Sequence, residues 1–205
     1  MNLKNKKSVF IATSRLNGEQ CKEWARENLP EGFFLSDTME DAEIIISVLY
    51  DKILSKNLIK NRKCYNFHPG TLPKYKGAGI YSWVILNQEK KMGITLHTIE
   101  DGIDNGKIIE IREFLIMEDD TAFSLHTRGN DVMYKMFKDW FSDLLHENYL
   151  AVEQPRTDGE IYYRRKLQNQ KNLSKFIKAF HFPGKESAYF FNKEGEKIYI
   201  NYNKE

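Results

Sequence analysis

Ile44-Ile45-Ile46-Ser47-Val48-Leu49 is the stretch on which the fold turns. It is rich in β-branched residues and shows no alternation of apolar with polar side chains. A strand with one wet face alternates, whereas a strand covered on both faces does not, and covered strands belong to parallel sheets between helical layers. Upstream, Val9 to Thr13 is a second short β-leaning run. Arg15 to Asn28 carries Leu16, Cys21, Trp24 and Ala25 at roughly helical spacing and ends before Pro30 and Gly32. Downstream, a short helix is predicted over Ile53 to Ile59 and a short strand over Lys63 to Asn66. Phe67 to Gly79, with Pro69, Pro73, Gly70, Gly77 and Gly79, reads as a shaped loop. Tyr81 to Asn87 is helical in pattern, and Gly93 to Ile99 and Lys107 to Ile116 are strands. Thr121 to Tyr149 is a long amphipathic helix that buries Phe123, Leu125, Met133, Met136, Phe137, Trp140, Leu144 and Leu145.

This order predicts an α/β fold over residues 1–150: a Rossmann-like, open, mostly parallel sheet with helices on both faces. Residues 151–205 change character. Pro155, Asp158-Gly159 and Pro183-Gly184 interrupt them, and Asn192 to Gly195 separates Tyr189-Phe190-Phe191 from Lys197-Ile198-Tyr199-Ile200. They are expected to form a C-terminal extension ending in a β-hairpin.

Composition narrows the class. The 205 residues hold 31 Lys+Arg and 29 Asp+Glu, a formal net charge of +2, so bulk charge builds no polyanion-binding face. Mean hydropathy is −0.59, and no apolar run approaches the ~18 residues that span a membrane. The apolar run at the N-terminus is too short for a signal peptide. Cys21 and Cys64 form no disulfide framework and no ligand constellation, so no metal is expected. A cytoplasmic protein without nucleic-acid or membrane partners is the expectation.

The chemistry concentrates in two places. Asn66-Phe67-His68-Pro69-Gly70-Thr71-Leu72-Pro73-Lys74-Tyr75-Lys76-Gly77 begins where a predicted strand stops, the edge at which open α/β sheets place ligands. Asn66 and His68 are two residues apart, so an extended backbone projects both to one side. An amide donor and an imidazole aimed together suit a carbonyl being polarised as a nucleophile adds. The same residues beside Pro-Gly also serve as turn caps. Ile99-Glu100-Asp101-Gly102-Ile103-Asp104-Asn105-Gly106 closes another predicted strand and offers three carboxylates. Alone it reads as a solvated turn; two polar loops at strand ends of one sheet together make a candidate site.

Together the stretches NFHPGTLPKYKG and GITLHTIEDGIDNGKII resemble the 10-formyltetrahydrofolate-dependent formyltransferases, over about Ile44 to Ile116. The resemblance implies a catalytic trio, matched by Asn66, His68 and Asp104. An amine would attack the formyl carbonyl, Asn66 and His68 would donate to the oxyanion, and Asp104 would position His68 or a water and help remove the amine's proton. It further implies that 10-formyltetrahydrofolate is gripped largely by backbone groups of Tyr50 to Leu54 and Glu100 to Asp104. This covers Lys52, Ile53, Leu54, Glu100, Asp101 and Asp104, with Leu54 and Ile59 at the ring. His97, on the strand before the acidic loop, is read as structural.

Three acceptors compete within the family. Ala12-Thr13-Ser14-Arg15-Leu16-Asn17-Gly18 lacks the paired glycines that cradle the phosphate of glycinamide ribonucleotide. Residues 151–205 are too few for the further domain expected of methionyl-tRNA formyltransferases. The loop and tail look most like the sugar N-formyltransferases, which act on nucleotide-linked amino-deoxysugars. That implies substrate contacts from Gly70, Lys76, Gly77, Tyr81, Trp83 and Phe182. Arg164 or Arg165 is a further candidate for the diphosphate, and tail aromatics could stack on the base, seal a small core or serve a homodimer. The alternative outside catalysis is a folate- or nucleotide-binding module.

Overall fold

The computed structural model describes residues 6–155, 161–163, 173–192 and 194–200. Its elements are β1 (Lys7–Ala12), α1 (Leu16–Glu27), β2 (Phe33–Leu35), β3 (Ile44–Val48), α2 (Lys56–Asn61), β4 (Lys63–His68), β5 (Lys76–Gly77) and α3 (Ile80–Leu86). They continue with β6 (Lys91–Thr98), β7 (Ile108–Leu115), α4 (Ala122–His146), β8 (Ile161–Tyr162), α5 (Leu173–Phe180), β9 (Ala188–Phe191) and β10 (Lys197–Ile200). Six strands form one sheet in the order β2-β1-β3-β4-β6-β7. The first four are mutually parallel, β6 runs antiparallel to β4, and β7, antiparallel to β6, points the same way as the first four. The isoleucine run sits in the middle as β3, with all five residues buried.

Both faces are covered, which is why β3 shows no alternation. On one face Cys21 and Ala25 of α1 and Met133, Met136, Phe137 and Phe141 of α4 pack on Val9, Ile11, Ile44, Ile46, Tyr65, Phe67, Ile94 and Leu96. On the other, Leu54 and the α2 residues Leu58 and Ile59 meet Ile45 and Cys64. Beyond the end of β4 a third cluster joins α3, the start of α4 and α5 through Ile80, Tyr81, Val84, Ala122, Leu125 and Ala179. The tail thus closes on the same body, and its β9–β10 hairpin is antiparallel as predicted.

Capping explains where several elements begin. Thr121 and Ser124 form a reciprocal capping box that starts α4. Ser55 caps α2, so that helix starts at Lys56 and leaves Ile53 and Leu54, predicted helical, in the preceding loop. Phe123, expected in the core, is 39% exposed because it lies one residue off the stripe through Ala122, Leu125 and Met133; Phe141 takes a core place instead. β4 runs two residues past its predicted end, to His68. No helix among the described residues is long and apolar enough to cross a membrane.

Candidate active site

The site is laid out by strand pairing. Asn66 and His68 share one face of β4, and the antiparallel register sets His97 opposite Asn66 and Thr95 opposite His68. Opposite residues of an antiparallel pair point the same way, so these four side chains make a polar patch on the face away from α4. His68, Thr95 and His97 are buried. The turn after β6 then folds back over the patch. Asp104 holds a left-handed backbone there, at φ +48°, and carries its carboxylate inward.

Hydrogen bonds fix each group. His97 Nδ1 donates to the Thr98 carbonyl at 2.6 Å, which leaves Nε2 to accept from Asn66 Nδ2 at 3.2 Å. Asp104 Oδ1 lies 3.6 Å from the same Nε2. His68 Nε2 donates to the Tyr75 carbonyl at 2.6 Å, so the Nδ1 lone pair faces Asp104 Oδ2 at 3.4 Å. Gly77 N–H donates to Asp104 Oδ2 at 2.8 Å. Gly70 admits no substituent, since a Cβ would stand 2.6 Å from both His68 Nε2 and the Tyr75 carbonyl. Thr95 Oγ1 fastens this loop, donating to Gly70 O at 2.6 Å and accepting from Leu72 N at 3.2 Å.

Electrostatics follow from the enclosure. Burial pushes the His68 pKa down, against the opposing pull of Asp104. Burial alone would raise the Asp104 carboxyl. The neighbouring imidazoles of His68 and His97 and the Gly77 N–H outweigh that and hold it well below the usual carboxylate range. A neutral imidazole therefore offers its lone pair beside an ionised carboxylate, and a proton taken up at Nδ1 would be held between them. Asn66 keeps its second amide N–H for an incoming oxygen.

The remaining expected residues fall into two groups. Lys52, Ile53, Glu100 and Asp101 are exposed, and the Lys56–Asp101 ion pair at 2.7 Å ties the turn after β6 to the start of α2. Leu54 is buried beside Ile45 and Cys64, and Ile59 packs on that cluster. Lys76 reaches Asn105 from the strand that brings Gly77 to Asp104. Tyr81, Trp83 and Phe182 belong instead to the cluster around α3. Tyr81 meets His126 edge-on at 5.5 Å, Phe182 meets His126 at 4.8 Å, and Trp83 leans on Tyr162 at 5.1 Å. Arg164 and Arg165 lie outside the described residues. The sequence reads His97 as structural and does not foresee its contact with Asn66, although its position two residues after Thr95 in an alternating strand already puts both on one face. No group of three or more His, Cys, Asp or Glu among the described residues could hold a metal ion.

A mostly parallel sheet thus brings an amide, an imidazole and a carboxylate together near its strand ends, and comparison with known proteins gives the family. The Formyl transferase profile matches residues 13–140, and the chain belongs to that family. A methionyl-tRNA formyltransferase of Caldanaerobacter subterraneus is 34% identical over 143 residues, covering 66% of this chain and 44% of the relative. The chain thus spans less than half of that protein's length. A GDP-perosamine N-formyltransferase of Brucella melitensis is 30% identical over 165 residues, 75% of this chain and 62% of the relative. Among solved structures, a sugar N-formyltransferase from a Shewanella species superposes with TM-score 0.83 at 20% identity, covering 97% of this chain and 98% of its own. A 4-N formyltransferase from Francisella tularensis gives 0.82 at 16% identity, covering 98% and 99%.

Proposed function

We propose that the protein transfers the formyl group of 10-formyltetrahydrofolate to the amino group of a nucleotide-linked amino-deoxysugar. The observation that carries this reading is the convergence of Asn66, His68 and Asp104 on one buried face, with the base and the carboxylate 3.4 Å apart. The neutral acceptor amine attacks the formyl carbon, and the Asn66 amide donates to the oxygen that becomes negative. His68 accepts the amine's proton at Nδ1, where Asp104 steadies the imidazolium. The imidazolium then hands that proton to the donor's nitrogen, which leaves as tetrahydrofolate as the carbonyl re-forms and His68 returns to its neutral form.

The folate lies against the Lys52–Leu54 loop and the Glu100–Asp104 turn, and the acceptor approaches past Gly70, Lys76 and Gly77 with Tyr81, Trp83 and Phe182 on its far side. Residues 1–150 serve as the catalytic domain and 151–205 as its extension. Support for a sugar acceptor comes from neighbours of nearly equal length that are named sugar N- and 4-N formyltransferases. Another neighbour, an N-formyltransferase from Helicobacter canadensis, was solved with folinic acid and dTDP-3-aminofucose. The identity to the Caldanaerobacter enzyme favours methionyl-tRNA as the second reading.

The test is incubation with 10-formyltetrahydrofolate and a panel of acceptors: dTDP-, GDP- and UDP-linked amino-deoxysugars, glycinamide ribonucleotide and methionyl-tRNA. Tetrahydrofolate release is followed, with mass spectrometry of the acceptor. Formylation of a nucleotide sugar is the expected result. Formylation of methionyl-tRNA alone, or tight folate binding with no turnover of any amine, would overturn it.

A further inference from the structure

Gln154 lies beyond α4, fifty residues from the turn that presents Asp104, and the reading above makes no use of it. Two attachments bring its segment back to the sheet. Val152 and Ile108 exchange backbone hydrogen bonds, each 2.8 Å, and Lys107 pairs with Glu153 at 2.8 Å. The Gln154 side chain is thereby laid against the turn. Its Nε2 donates to the carbonyl of Asp104 at 2.8 Å and to that of Gly106 at 2.7 Å. Both amide protons are used. Oε1 is shut off from solvent and finds no hydrogen-bond partner among the described residues. The amide cannot turn over, since that would set its oxygen against two carbonyl oxygens.

The turn needs such a donor. Asp104 occupies the left-handed region, which a residue with a Cβ enters at a cost. Gly106 passes so close to the neighbouring strand that a Cβ there would fall 1.5 Å from the Thr98 carbonyl oxygen. The Asp104 and Gly106 carbonyls converge on one point, where they repel unless a donor stands between them. The Asp104 side chain makes its contact with His68 from this same residue, so whatever fixes the turn fixes the carboxylate.

We propose that Gln154 is a positioning residue for formyl transfer: it clamps the 104–106 turn and so holds the Asp104 carboxylate at His68 Nδ1. The proposal rests on the role given to Asp104 in the preceding section. It also makes the segment after α4 part of the working site.

Steady-state kinetics on the full chain test it, with 10-formyltetrahydrofolate and the acceptor from the panel that turns over. Gln154→Ala is expected to lower kcat by about 10- to 100-fold, as loss of supporting contacts commonly does, with both KM values little changed. Gln154→Glu, which faces a carboxylate to the two carbonyls, should lose more. In the Asp104→Asn background, Gln154→Ala should add almost nothing, because residues acting as one unit are not additive. The pH profile gives a second readout. The groups facing His68 are Asp104, His97 and the Tyr75 carbonyl, and only Asp104 is released, so the acid limb should move to lower pH. Unchanged kcat in Gln154→Ala would overturn the proposal, as would equal losses in both backgrounds with a fall in melting temperature, which would mark a structural role. If Asp104→Asn itself kept the full rate, the site reading would fall and this inference with it. Asp104→Asn inactive beside an unimpaired Gln154→Ala would sink the clamp alone.

Discussion

The face of the β4–β6 pair and the crossing of α3 with α4 both bury polar side chains, and they treat them in opposite ways. On the sheet face every polar side chain has a hydrogen-bonded or charged neighbour: Asn66 with His97, His68 with Tyr75 and Asp104, Thr95 with the loop at Gly70 and Leu72. At the crossing, Tyr81 Oη, Asn130 Oδ1 and the nearby Trp83 Nε1 are buried with no partner among the described residues. A satisfied network keeps its geometry, whereas an orphaned group costs free energy until something meets it. The first region is therefore organised for work in advance, and the second holds a removable penalty.

The sheet face is where substitution should cost most. Asn66→Ala, His68→Ala and Asp104→Ala are each expected to lower kcat by about 10²- to 10³-fold, the usual effect of removing one such group, while far-UV circular dichroism stays unchanged. Near-normal rates in all three would break the comparison at its root. Thr95→Val comes next. It leaves the Leu72 N–H and the Gly70 carbonyl buried without their partner, so urea unfolding should show a loss of about 2 kcal/mol.

The pH dependence sharpens the picture within the same face. His68 must be unprotonated to accept a proton, and burial lowers its pKa from the ordinary 6.5. The sign follows: activity falls with decreasing pH only below the ordinary imidazole range, once the acceptor's own ionisation has been separated by comparing two amines. Asp104 opposes that lowering, so in the residual activity of Asp104→Asn the limb should lie lower still. A limb above 6.5 assignable to His68 would contradict the enclosure described above.

What could be read from the residues in order was mostly local. The β3 run announced a doubly covered strand because its composition needs both faces buried, and α4 announced itself by a stripe long enough to count. The His68 side of the site was legible because period two is a property of the strand alone. His97 was not, because its meeting with Asn66 depends on the register of two strands thirty-one residues apart. The pairing of β5 with β8, Lys76 with Ile161, is more distant still and involves only two residues from each side. β2 is three residues long and shows too little pattern to separate from a loop. α5 hides in an aromatic segment whose helical face exists only against α3, where Ser82 Oγ donates to the Ala179 carbonyl at 2.6 Å. Tertiary partners decide such elements, and a sequence read in order does not contain them.

The smallest expected effect has the opposite sign and comes from the crossing. The Tyr81 hydroxyl stands over Gly129, where a Cβ would lie 2.5 Å from it. With the phenol buried and unpartnered, Tyr81→Phe removes a desolvated hydroxyl while leaving the ring against His126. The variant should therefore be more stable, by about 1 kcal/mol in urea unfolding, since removing an orphaned polar atom returns its desolvation penalty. Its kcat should match the parent, because the hydroxyl is hydrogen-bonded to none of Asn66, His68 and Asp104. The acceptor KM carries the remaining information. If KM is unchanged, the hydroxyl only burdens the core. If it rises while stability increases, the hydroxyl is met by the acceptor when it binds, and the penalty in the free protein is what that contact relieves.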